Sequence, residues 1–96
     1  MQILVTYDVA TSTEGGARRL RRVAKTCLDY GQRVQASVFE CKIDPSQLVA
    51  LKARILDIID KQSDSVRFYF LGTEWDGRVE HYGTKPSLNM DGPLIV

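Results

Sequence analysis

Between Ser65 and Leu71 the side chains alternate, with Val66, Phe68 and Phe70 on one side and Arg67, Tyr69 and Leu71 on the other. A period of two over that length specifies a strand with one face in a core, and such a strand needs neighbours and a covering layer. The rest of the chain supplies both in a fixed order. Ile3 to Tyr7 is apolar, aromatic or β-branched and ends at Asp8, a first strand. Leu20, Val23, Ala24 and Cys27 recur at helical spacing, predicting a helix to about Tyr30 with Gly31 as its stop. Its start has two candidates, Thr11 with Glu14 at capping-box spacing, or Thr13 as N-cap. Arg33 to Ile43 is β-rich, with a kink or tight reversal expected at Ala36-Ser37. Asp44, Pro45 and Gln47 then spell N-cap, N1 proline and capping box ahead of Leu48, Leu51, Ile55, Ile58 and Ile59, a second helix. After the alternating strand, Trp75-Asp76-Gly77 reads as a turn, Arg78 to Tyr82 as a short strand, and the remainder as an extended tail.

Strand, helix, strand pair, helix, strand is the order of an α+β ferredoxin-like split βαβ, with an antiparallel sheet and both helices on one face. Residues 1–83 form that domain, including the C-terminal strand, and residues 84–96 the tail. The fold leaves one sheet face without helices, and Val38, Tyr69 and Leu71 are expected on it. An uncovered apolar face predicts a partner surface. A homodimer that also adds the extra C-terminal strand to the partner's sheet would cover both the face and the loose strand.

At 96 residues the chain has room for one domain, and no apolar run approaches the ~18 residues of a membrane span. The opening apolar run breaks after Val5 and lacks a cleavage site, so it reads as a strand and not as a signal peptide. Cys27 and Cys41 form no metal-ligand spacing and are expected as free thiols in a reducing cytoplasm. The net charge of +1 hides an asymmetry: up to Arg33 there are six basic residues and three acidic ones. Arg18, Arg19, Arg21, Arg22 and Lys25 crowd the first helix, with Arg18, Arg22 and Lys25 on one face. Such like charges repel unless a polyanion is near, which favours phosphate contact over a merely solvated face.

Asp8 at the C-terminal edge of the first strand is a candidate metal ligand, and a metal beside cations is what phosphodiester cleavage requires. One carboxylate is too few ligands for Mg²⁺. Either Asp8 is structural, or a symmetry mate supplies its partner. Tyr7 either orients a phosphate or is a core-edge aromatic. His81, lone on a late strand, reads as packed or exposed rather than as a base, and Trp75 as a loop anchor rather than a base-stacking platform.

Several blocks carry a family resemblance: Tyr7-Asp8-Val9, the run Arg18 to Lys25, the run Tyr30 to Cys41 with its Arg-Val-Gln-Ala-Ser-Val-Phe-Glu-Cys core, Asp64 to Tyr69, and Val79 to Gly83. In order and over essentially the whole chain, they resemble the CRISPR-associated protein two family, the small subunit of the spacer-acquisition machinery. The ending Asn89 to Val96 is similar to the type I-C branch. The resemblance implies a homodimeric, Mg²⁺-dependent endonuclease (Mn²⁺ substituting) acting on RNA or DNA, and a dimer that bridges the CRISPR integrase and holds duplex DNA. It implies Asp8 as metal ligand, Tyr7 beside it, Arg18 or Arg19 and Arg33 as phosphate contacts, and Phe39 near the site. Three other functions compete: an architectural DNA- and integrase-binding dimer in which Asp8 serves structure, a toxin-like mRNA interferase, and a ferredoxin-like RNA-recognition module. The last is disfavoured because the third strand lacks the paired aromatic and glycine pattern of such modules.

Overall fold

The computed structural model describes residues 1–72 and 78–84. Its elements are β1 (Gln2–Asp8), α1 (Gly16–Leu28), β2 (Gly31–Gln35), β3 (Val38–Lys42), α2 (Pro45–Ile58), β4 (Ser65–Leu71) and β5 (Val79–Gly83). One sheet joins the strands in the order β2-β3-β1-β4-β5, every neighbouring pair antiparallel. The first four strands have the split βαβ arrangement that the element order requires, and β5 is added beside β4. Ala36 and Ser37 make the reversal between β2 and β3, with a register shift between Arg33 and Gln35. The turn at Trp75 and the tail from residue 85 lie outside the described residues.

The two helices begin by different physics. At α2 the Asp44 carboxylate accepts from the Gln47 N–H at 2.8 Å, and the Gln47 side-chain oxygen accepts from the Asp44 N–H at 2.9 Å. That is the expected capping box, with Pro45 at the first position. At α1 neither Thr11 nor Thr13 caps. The N-cap is Gly15 in the left-handed region at φ 75°, with no side-chain cap. Gly16 follows because the helix start is pressed onto the preceding loop: a Cβ there would lie 2.2 Å from the Ala10 carbonyl oxygen. The helix ends at Leu28, short of Tyr30, and Gly31 opens β2 instead of stopping α1. A Cβ on Gly31 would meet the Glu40 carbonyl oxygen at 2.2 Å, so that glycine serves the close β2–β3 approach.

Ile3 and Val5 of β1, Phe39 of β3, and Val66 and Phe68 of β4 pack under Val23, Leu51 and Ile55 of the helices, all with no exposed surface. Among the described residues the opposite face carries no helix. Register and alternation put Leu4, Val38, Tyr69, Leu71 and Val79 there, all half-buried. The uncovered face expected from the sequence is therefore present, its apolar residues interleaved with polar ones such as Gln2, Glu40, Arg67 and His81. In the single chain β5 pairs with its own β4, from Ser65 opposite Gly83 to Tyr69 opposite Val79. Side-chain contacts on the helix side help to hold it: the Tyr82 ring meets Phe68 edge-on at 6.0 Å, and Lys52 of α2 reaches Glu80 at 2.7 Å. Among the described residues no helix is long and apolar enough to cross a membrane.

Candidate functional site

Asp8 is the last residue of β1 and exposed, on the uncovered face with Leu4 and Thr6 and opposite Ser65. Among the described residues no three His, Cys, Asp or Glu side chains are placed to hold a metal. Among the described residues, one chain thus brings one strand-end carboxylate to a face that no helix covers. A divalent cation at Asp8 would need its remaining ligands from water, phosphate oxygens or a further carboxylate.

Tyr7 and Asp8 are neighbours in sequence and opposed in space. Alternation sends Tyr7 under the helices, where it is 6% exposed and stacks on Phe39 with ring centroids 6.0 Å apart. Its hydroxyl is buried and has no hydrogen-bond partner among the described residues. Burial pushes the phenol up, the Cys27 thiol adds to this, and Arg33 opposes it. The structure does not bring this hydroxyl to the Asp8 side of the sheet. Phe39 is likewise in the core with no exposed surface, so it meets no nucleic acid directly. Arg33 lies above it, 5.0 Å from the ring centroid, and donates to the Ala36 carbonyl at 3.1 Å. Arg33 is exposed, available to a phosphate while bracing the hairpin.

The arginines of α1 divide into two kinds. Arg19 makes an ion pair with the buried Asp64 at 2.7 Å, and also donates to the Glu14 carbonyl and the Thr13 hydroxyl. Asp64 accepts further from the Ala10 N–H at 2.9 Å and the Asp60 N–H at 2.8 Å. Burial alone would raise its pKa, but Arg19 and the two N–H groups more than offset that and hold the carboxyl below its usual range. This node fixes the loop that follows Asp8, the first turns of α1 and the turn before β4. The Arg19 guanidinium is thereby committed, and of the two phosphate candidates Arg18 is the exposed one. Arg22 and Lys25 are also exposed, and none of the three has an ion-pair partner among the described residues.

Sequence reasoning missed the polar pair on the face that carries Asp8. Arg67 and His81 are paired across β4 and β5, and Arg67 Nε donates to His81 Nδ1 at 3.1 Å. Burial and the Arg67 charge push the imidazole pKa down, against a hydrogen bond to the Gly83 backbone. The signal was legible in parity: Arg67 alternates with Val66 and Phe68, as Asp8 alternates with Val5 and Tyr7.

The order of the strands, with a strand-end carboxylate on the open face and cations on the helices behind, defines a small α+β protein of ferredoxin-like fold. The family model for CRISPR associated protein Cas2 matches residues 1–79. The chain is 58% identical over 96 residues to the CRISPR-associated endoribonuclease Cas2 of Chlorobaculum tepidum, covering 100% of both. It is 54% identical over 95 residues to the CRISPR-associated endonuclease Cas2 of Halalkalibacterium halodurans, covering 99% of each. The crystal structure of Streptococcus pyogenes Cas2 at pH 6.5 matches with a TM-score of 0.71 and 59% identity, over 78% of this chain and 90% of that one. The chain belongs to the CRISPR-associated Cas2 family.

Proposed function

We propose that the protein is a CRISPR adaptation subunit, a homodimer that cuts RNA or DNA phosphodiester bonds with Mg²⁺ or Mn²⁺ and bridges copies of the CRISPR integrase. The observation that carries the reading is the placement of Asp8, exposed and on a partly apolar sheet face that nothing covers among the described residues. Packing two such faces about a two-fold buries apolar surface and brings a second Asp8 to the first. A divalent cation held by that pair would supply Lewis acidity toward a phosphate oxygen. Asp8 contributes ligand charge, Arg18 and Arg33 hold the phosphate backbone, and Tyr7 and Phe39 keep the strand end and Arg33 in place from beneath. His81 lies on β5, beyond β4 from Asp8, with Nδ1 bonded to Arg67. With no hydroxyl from Tyr7 on that face, intrinsic hydrolysis is expected to be slow.

The same single carboxylate favours a second reading, an architectural DNA- and integrase-binding dimer in which cleavage plays no part. Mixed dimers of wild-type and Asp8→Asn protomers separate the two. Asparagine keeps size and hydrogen bonding while removing the charge. Loss of Mg²⁺-dependent cleavage well beyond half in the mixed dimer is the expected result and supports one shared site. Retention of half the rate shows that each protomer works alone. Asp8→Asn homodimers that cut like wild type leave the architectural reading standing.

A further inference from the structure

Behind the sheet, between α1 and α2, lies an open groove of about 380 Å³ lined by Arg22, Lys25, Thr26, Arg54, Asp57 and Ile58. Its walls carry three cations and one carboxylate. Arg22 and Lys25 are exposed and make no ion pair among the described residues. Lys25 sits in the last turn of α1, where it also offsets the helix's terminal partial charge, but Arg22 has no such explanation. Arg54 is oriented from behind, its Nη2 donating to Asp29 at 2.9 Å and its guanidinium 5.5 Å from the Tyr30 ring centroid. A guanidinium has five N–H donors, so this anchoring leaves others to face the groove.

We infer that this groove is a phosphodiester-backbone site, holding a strand of nucleic acid on the helix side of the molecule, away from Asp8. The inference rests on the nucleic-acid reading above and adds a place to it. Two helices contribute, so the site reads a concave shape as well as charge. The arginines suit phosphate because a planar fork pairs with two oxygens at once. Thr26 at the floor is 3% exposed, and Ile58 is half-buried at the rim. Asp57 is the one group in the lining that opposes a phosphate. Because α1 and α2 lie on one face of the sheet and Asp8 on the other, binding in the groove and cleavage at Asp8 engage different parts of a nucleic acid. A bound strand is held here without being presented to the Asp8 of the same protomer.

The test uses the full chain and a short DNA duplex, read by fluorescence anisotropy over a series of salt concentrations. The double variant Arg22→Ala/Arg54→Gln is expected to weaken binding at least about fivefold, with the log–log salt slope reduced by roughly 0.9 for each phosphate no longer neutralised. Arg21→Ala removes a charge from the same helix outside the groove and is expected to leave both nearly unchanged. Asp57→Asn is expected to tighten binding. Equal losses from Arg21→Ala and from the groove variants would overturn the inference, leaving only a diffuse positive field. So would an unchanged affinity in Asp57→Asn together with unchanged affinity in the double variant. Amide chemical shifts keep the proposal testable if a variant folds poorly. On adding the duplex to wild-type protein, shifts should concentrate at Arg22, Thr26, Arg54 and Asp57, and shifts confined elsewhere would overturn it. An acidic peptide that competes at the same amides, with the duplex failing to shift them, would also overturn it. Cleavage scored in the same samples keeps the two readings apart. Normal Asp8-dependent cutting with intact binding in the groove variants removes the groove alone, whereas groove-dependent binding with cutting indifferent to Asp8 removes the nuclease reading alone.

Discussion

The two faces of the sheet are built to different standards of completeness. Under the helices every inward position is filled, from Ile3 and Val5 through Phe39 to Val66 and Phe68, and the buried charge of Asp64 has four hydrogen bonds to satisfy it. On the other face Leu4, Val38, Tyr69, Leu71 and Val79 are only half-buried, and Asp8 stands at the margin. Among the described residues nothing covers that second face. The difference teaches where to look for chemistry: the self-sufficient face gives stability and the cationic groove, and the unfinished one carries the carboxylate on which the proposed shared site rests.

The comparison breaks most visibly if the open face is made incompatible with burial. Tyr69→Glu places a charge at its centre, and a two-fold doubles the penalty. At about 2 kcal/mol for each desolvated group, the dimer dissociation constant should rise on the order of a thousandfold. Sedimentation equilibrium measures this, and near-wild-type melting of the protomer would show that the covered face does not depend on the open one. A Tyr69→Glu protein that remains dimeric at micromolar concentration would mean that the partner surface lies elsewhere.

On the covered face the largest single effect should come from Asp64. Asp64→Asn leaves the Arg19 guanidinium in place without its counter-charge and is expected to lower unfolding stability by about 3 kcal/mol, measured by urea denaturation. The pH dependence follows from the sign of the shift. The folded-state pKa of Asp64 is depressed, so its stabilisation is present above the ordinary carboxylate range and is lost as pH falls through the folded value. Asp64→Asn should therefore flatten the acid limb of the stability curve. Unchanged acid sensitivity would show that other carboxylates govern it.

Much of this architecture is legible in the sequence because it rests on local rules. The β4 alternation and the α2 capping box are complete within a few residues, and both stand as read. The start of α1 is not, because Gly15 and Gly16 answer to the Ala10 carbonyl rather than to a side-chain cap. The role of Asp64 is hidden for a stronger reason: Arg19 and Ala10 are 45 and 54 positions away. The same long-range contact divides an arginine run that looks uniform in sequence into one residue held by a buried carboxylate and others facing solvent. Tyr7 and Asp8 could have been separated by parity alone, and only their adjacency in the family motif groups them.

The smallest effect sharpens the comparison from the covered side. Asp44 accepts from the Gln47 N–H and the Ser46 hydroxyl, and these bonds hold its carboxyl below the usual range. Its support for α2 is therefore present above the unfolded carboxylate pKa and fades as pH falls through the lower folded one. Asp44→Ala should lower Tm by a few degrees at neutral pH and by less in acid, because the cap it removes is then already protonated. The cap belongs to the helix layer, so dimerisation and Mg²⁺-dependent cleavage at Asp8 should not move. If Asp44→Ala weakened the dimer as well as the helix, the two faces would be coupled through α2 and β3. The division between a self-sufficient face and an unfinished one would then have to be redrawn.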